Sequence, residues 1–420
     1  MCASSHTSTV ERPRARRVVS KDRQGSYEIL ILSAFLLVSV SFAPQVASSY
    51  QLLDVELAAS LSRAARAVAV AFGALGCAPL DLRRLRMSDA LLVSGLLIAI
   101  LQFATAPSNS PAAEALFLNG AAAATFFILL PLARRHVPYD KIWRLLAIST
   151  VLQVVLGIAL FIAGSPEGTP LNDKNDGLVG TLGVSNMFAM LCLLVAARYS
   201  SFEGRMAFAF VGFSVLGVVL SGSLAAGGGL CLIASVSLAG NRKSRASIAR
   251  VALAAVFCCA LCFIPLFLFG VELPRSIEHF VFKIESLWRL VSGAGFEDVS
   301  YSLTLRGQVW TNVINGLSGD IDVALFGGLG GYRYFPADSQ VVTYLGSFGL
   351  PVALMLFAPL LACLHDLFRM KGPCLIFVIL SSVVTLFVLS NRTYDYFTGA
   401  AVAALVVSEI RTRSQEGLQR

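Results

Sequence analysis

Apolar residues in this chain come in long blocks separated by short polar stretches. Twelve blocks approach the roughly 20 apolar residues that cross a bilayer: 29–47, 61–80, 88–106, 113–133, 143–163, 179–197, 206–221, 224–240, 249–270, 341–364, 373–390 and 396–410. The period-two alternation of an outer-membrane barrel is absent. The pattern predicts an all-α, polytopic helical membrane protein with about 12 transmembrane helices. One polar stretch stands apart: 271–340 is about 70 residues long, more than a plain connection needs. Inside it Phe280, Ile284, Leu287, Trp288 and Val291 recur at helical spacing. Glu285 and Arg289 lie one turn apart on the polar side. This spacing predicts an amphipathic helix over Ile277–Gly293 on the membrane surface, guiding a lipid-linked substrate or capping the bundle. A second helix is predicted over Leu303–Leu317, with Arg306 and Trp310 one turn apart. A glycine run, Gly327, Gly328, Gly330 and Gly331, follows. Such a run permits close backbone approach and exposes N–H groups. It lacks the Gly-Lys-Ser/Thr ending of a phosphate-binding P-loop and the strand–helix frame of a dinucleotide fold.

Composition agrees with the blocks. Of 420 residues, 56% are apolar and 14% charged, with mean hydropathy +0.74; soluble chains carry about 25% charge. A water-soluble enzyme, a disordered scaffold and a nucleic-acid-binding module are excluded. The net charge of +8 is a matter of topology first, because basic loops stay in the cytoplasm. With the N-terminus inside, 24 of the 33 Lys and Arg residues fall on the cytoplasmic side. The expected layout is a cytoplasmic tail 1–28, helices one to nine over 29–270, an extracytoplasmic loop 271–340, helices ten to twelve over 341–410 and a cytoplasmic tail 411–420. The block 29–47 is read as a retained signal anchor. None of the nine cysteines falls in an outside loop, and Cys259-x-x-Cys262, inside a block, reads as packing. No His or carboxylate cluster suggests a metal, and no cofactor is expected.

Nine basic residues remain on the outside: Arg63, Arg66, Lys174, Arg275, Lys283, Arg289, Arg306, Arg333 and Arg392. Seven are arginines, whose planar fork suits a diphosphate. Either they bind lipid diphosphate, or they snorkel to headgroups and pair with outside acids; the pattern leaves both open.

The order of these features resembles the O-antigen polymerase and ligase family of bacterial envelope proteins. Gly180-Thr-Leu-Gly-Val-Ser-Asn186 is similar to the family's glycines followed by Asn. Leu220-Ser-Gly-Ser-Leu224 is similar to its Ser-Gly-Ser-Arg, with Leu224 in the place of the arginine. Arg306 and Trp310 resemble its Arg-x-x-x-Trp, the glycine run its Phe-Gly-x-Gly, and Asp338 followed by Tyr344, Gly346 and Gly349 its Asp leading into the next span. The resemblance covers roughly 180–350.

The resemblance implies a metal-independent glycosyltransferase of the bacterial inner membrane. It would polymerise undecaprenyl-diphosphate-linked oligosaccharide repeats into O-antigen, capsule or exopolysaccharide, alongside a flippase and a chain-length regulator. Arg306 would stabilise the leaving diphosphate and Asp338 would act as general base, with Asp395 as second choice for the base. Arg333, Arg392, Arg63, Arg66, Asn186, Trp310, Gly327, Gly328 and Gly330 would bind substrate. Asp338 could also cap the following helix. The ligases of the family carry a His before span ten, where this chain has Asp338, so polymerase is preferred to ligase. A transporter or flippase is the reading from another class. It is disfavoured by the absence of a visible repeat and by the scarcity of mid-membrane acids.

Overall fold

The computed structural model describes residues 21–49, 52–105, 111–134, 137–162, 172–173, 177–178, 185–200, 202, 204–239, 282, 285–286, 288–289, 292, 301–328, 338–369 and 375–418. The protein is all-α. Its helices are α1 (Lys21–Val40), α2 (Ala43–Ser49), α3 (Val55–Cys77), α4 (Met87–Ala104), α5 (Pro111–Leu132), α6 (Tyr139–Ile162), α7 (Ser185–Ser200), α8 (Arg205–Leu220), α9 (Leu224–Ala239), α10 (Tyr301–Gly319), α11 (Ile321–Phe326), α12 (Gln340–Arg369), α13 (Leu375–Ser390) and α14 (Phe397–Leu418). A two-residue antiparallel pairing joins Asn172–Asp173 to Gly177–Leu178. Among the described residues five stretches are long and apolar enough to cross a membrane: Gly25–Gln45, Val55–Cys77, Met87–Ala104, Tyr139–Ala159 and Gln340–Arg369. Phe117–Leu132, α7, α8, Ala225–Ser235 and α13 are shorter apolar helices. Every expected block carries a helix except 249–270, which lies outside the described residues.

Two boundaries differ from the apolar pattern, each for a local reason. The block 29–47 is not one helix. α1 ends at Val40, and Pro44, the second residue of α2, has no N–H to extend the helix before it. The second block begins at Val55 rather than 61. Asp54 caps α3 by accepting from the N–H groups of Glu56 at 2.9 Å and Leu57 at 3.2 Å.

The core forms around α14. From Ala400 to Val407 every residue is buried, as expected of a helix that is apolar all round. Its alanines at 400, 401, 403 and 404 let neighbours approach closely. α14 packs against α5, α12, α13 and α7. Gly95 of α4 works the same way, lying against Met355 of α12.

The two ends of this bundle differ in chemistry. At one end the starts of α4 and α6 meet the far ends of α7, α12 and α14 through charged pairs. Arg411 donates to both oxygens of Asp89, at 2.7 and 2.9 Å, and to the carbonyl of Arg84. Arg198 bridges Asp140 at 2.7 Å and Glu409 at 3.1 Å, and Trp143 donates to Glu409 at 2.8 Å. Arg86 pairs with Asp366. The other end holds the starts of α12, α14 and α7, together with α10 and α11.

Candidate functional site

The site is assembled from short-range rules at this second end. On α10, Val309, Val313 and Leu317 recur every three to four residues and pack on Val342 and Leu345, in the first turns of α12. Arg306 continues the same stripe, so docking α10 carries it to Asp338, two residues before α12. There Arg306 Nε donates to Asp338 Oδ2 at 2.8 Å. The helix cap falls to the next residue. Ser339 Oγ accepts from Val342 N at 3.4 Å, which leaves Asp338 free of the capping role that Asp-Ser suggested.

Both side chains of the pair reach solvent, Arg306 at 33% and Asp338 at 48% exposure. An ion pair so exposed adds only about 0–1 kcal/mol to stability, so folding alone does not account for it. Among the described residues the guanidinium spends only its Nε–H, on Asp338, and Asp338 Oδ1 has no partner. An anion can therefore approach the guanidinium and a hydroxyl the carboxylate. Trp310, one turn along α10, is 39% exposed.

Gly327 and Gly328, the first residues of the glycine run, dock on α12. Gly349 breaks α12 with φ +81°, and Pro351 has no N–H for the carbonyl of Ser347. The freed segment receives the loop after α11. Gly328 N donates to the carbonyl of Gly346 at 2.8 Å. Gly327, at φ +69°, lies directly against the backbone of Ser347 and Phe348. Gly349 lies against Leu325 and Phe326 in the same way. Side chains at these two glycines would push the segments apart.

Gln340, the first residue of α12, joins this corner to the connection between α13 and α14. Its Nε2 donates to Asp395 Oδ1 at 2.9 Å. Its Oε1 accepts from Tyr394 N at 2.7 Å and Asp395 N at 3.3 Å. Arg392 begins this 3-10 turn (Thr393–Asp395) and is half-buried. Asp395 is fully buried and held by Gln340, so it is a bracket rather than an open base. Tyr394 sits between Phe127 and Phe357. Burial raises its hydroxyl far above the ordinary range, so it stays neutral and forms a wall. The carbonyl of Tyr394 rests on Gly120.

The start of α7 lies beside the same 3-10 turn. Met187 and the Thr393 carbonyl both touch the position of Gly399, which sets α7 beside the turn. Here Ser223 Oγ donates to Asn186 Oδ1 at 2.7 Å. The Asn and Ser-Gly-Ser segments, 37 residues apart, meet in this bond.

Arg63 and Arg66 do not join this group. They lie on α3, where Arg63 Nη2 donates to Ser60 at 3.3 Å. The helix begins at Val55, before the apolar block does, so Arg66 lies in the middle of the helix though near the start of the block. It is buried, with its guanidinium 4.9 Å from the Phe42 ring centroid. Arg333 and Gly330, with Tyr332, Tyr334 and Phe335, lie outside the described residues. So do Lys174, Arg275, Lys283 and Cys259-x-x-Cys262. Of the amphipathic stretch 277–293, residues 282, 285–286 and 288–289 are helical, and Trp288 is 72% exposed.

Gln340 carried no sequence signal, since a lone glutamine at the head of an apolar block reads as a boundary residue. Its position directly after Asp-Ser was the available clue. Among the described residues no cluster of His, Cys, Asp and Glu could hold a metal ion. No family model and no curated protein sequence matches the chain.

Proposed function

We propose that the protein is a membrane glycosyltransferase that polymerises oligosaccharide repeats carried on undecaprenyl diphosphate, at the outer face of the bacterial inner membrane. The observation that carries this reading is the solvent-reaching pairing of Arg306 with Asp338, a phosphate-binding cation beside a carboxylate, two residues before Gln340, which brackets the turn that Arg392 begins. In this reading the chain crosses the membrane about 12 times, each crossing taking roughly 20 residues. Both termini are cytoplasmic, and the Arg411 end of the bundle faces the cytoplasm.

The reaction needs no metal in this scheme. Arg306 neutralises the charge that grows on the departing diphosphate. Asp338 Oδ1 accepts the proton of the attacking sugar hydroxyl as the new glycosidic bond forms and the sugar–phosphate bond breaks. The hydrogen bond from Arg306 to Oδ2 turns the carboxylate so that its other oxygen faces the acceptor. Asn186, with its amide oxygen occupied by Ser223, presents its NH2 group as a donor to sugar or phosphate. Trp310 offers a ring face for a sugar.

The test is the Arg306→Ala variant in a strain lacking the native copy. Long glycan ladders are expected to vanish while single repeats accumulate on the outer face, with a rate loss of about 100–1000-fold. Ladders of normal length at equal protein level would overturn the assignment. Lipid-linked repeats trapped on the inner leaflet would indicate a flippase instead.

A further inference from the structure

Three arginines are buried among the described residues: Arg66, Arg198 and Arg411. Arg198 is neutralised by Asp140 and Glu409, and Arg411 by Asp89. Among the described residues Arg66 has no carboxylate. At 7% exposure its guanidinium has two partners there, the carbonyl of Ser62 at 3.0 Å from Nε and the Phe42 ring. A charge buried without a counter-charge is strongly destabilising when uncompensated. A cation–π contact returns only part of that. The remainder calls for an anion that the described side chains do not supply. One turn before Arg66, the hydroxyl of Ser62 is fully buried and has no hydrogen-bond partner. Arg63 adds a second positive charge at the exposed border of the same helix.

We propose that Arg66, Ser62 and Arg63 hold the phosphate of an anionic glycerophospholipid at the junction of α1, α2 and α3, a site separate from the Arg306 corner. Arginine suits this task because it stays charged and grips phosphate oxygens through two N–H groups at once. The source is lipid because α3 is apolar enough to cross a membrane. On the side of Arg66 toward Cys77 its outward face carries Val68 and Leu75, which are exposed and offer acyl chains a surface beside the phosphate. Phe42 lies two residues past the end of α1, so its ring contact puts Arg66 level with the end of that helix, where headgroups lie in a membrane. The site needs only the membrane reading. It would stand if the polymerase reading fell.

The test uses the full chain in neutral detergent and reads no enzymatic activity. Native mass spectrometry should detect one retained phosphatidylglycerol, and Arg66→Met should weaken its binding about tenfold to a hundredfold. Adding phosphatidylglycerol should raise the melting temperature of the parent chain and leave that of Arg66→Met unchanged. Without lipid, Arg66→Met should melt no lower than the parent, because the methionine keeps the packing and removes an unpaired charge. If Arg66→Met instead melts lower both with and without lipid, Arg66 is an internal packing group and the proposal fails. Equal stabilisation by diacylglycerol, which has no phosphate, would also overturn it. Saturation by inorganic phosphate alone would assign the site to a soluble anion. Tighter binding of polyprenyl monophosphate than of phosphatidylglycerol would make it a donor-reception site. Either result removes the phospholipid assignment.

Discussion

At the scale of single residues, the chemistry turns on how one carboxylate is used. Asp338 had two readings in the sequence, helix cap and base, and nothing in Asp-Ser decides between them. In space Ser339 takes the cap and Arg306, 32 residues earlier, pairs with Asp338, which is compatible with the proposed base. That pairing was legible only as two separate chemical types, because contact across a loop of this length depends on how α10 docks. Asp338→Asn separates structure from chemistry. An asparagine oxygen still accepts from Arg306 Nε, so the corner keeps its geometry, but the amide cannot take a proton. Polymerising activity in membranes is expected to fall about 100–10,000-fold. The melting temperature should hold within the noise, since the pair is exposed. Arg306→Lys keeps the charge and loses the fork, so it should retain more activity than Arg306→Ala. Equal loss in the two variants would mean that the charge alone does nothing there.

At the scale of elements, the apolar blocks foretold the helices well, because burial of an apolar segment needs no knowledge of its partner. The breaks inside them were harder to read. The run through 341–364 looks continuous, yet α12 kinks at Gly349 so that the segment after α11 can lie on it. The clue was the pair Gly349 and Pro351, but glycine and proline are tolerated inside membrane helices, so the pattern alone gave no kink. Gly349→Ala tests the joint. An alanine at φ +81° is strained by about 1–2 kcal/mol, and its Cβ would meet the backbone of Leu325. The expected result is a melting temperature several degrees lower, with activity lost along with the docking of α10 and α11. Gly228→Ala is the control: its Cβ meets nothing within 4 Å, so stability should be unchanged or slightly raised. If the two alanines behave alike, the joint between α11 and α12 does not hold the corner together.

At the scale of the whole molecule, the bundle is held at one end by buried charge pairs and open at the other. The basic residues that sorted to the cytoplasmic side in the sequence are in part fasteners. Arg411 ties α14 to α4 through Asp89, and Arg198 ties α7 to α6 and α14. These acids were invisible as partners, because Asp89 and Glu409 fall at the edges of apolar blocks and resemble loop residues. Asp89→Ala should cost about 3–5 kcal/mol, because it strands Arg411 in the core. The double variant Asp89→Ala with Arg411→Met should recover most of that loss in urea or thermal unfolding. A double variant as unstable as the single would mean that the pair itself, rather than the stranded charge, sets the cost.

The same asymmetry makes the proposed orientation testable without any assay of glycan synthesis. If the Arg411 end faces the cytoplasm, then Arg83, exposed in the 3-10 turn Leu82–Arg84, is inside. Asn312, exposed on α10 near Arg306, is then outside. A membrane-impermeant maleimide applied to spheroplasts should label Asn312→Cys. It should label Arg83→Cys only after the membrane is opened, each judged against the unsubstituted chain, in which Cys231 is exposed. Labelling of Arg83→Cys in sealed spheroplasts would invert the bundle. It would place the Arg306–Asp338 corner in the cytoplasm, where polymerisation of repeats already carried across the membrane cannot occur, and the proposed reaction would fall with it.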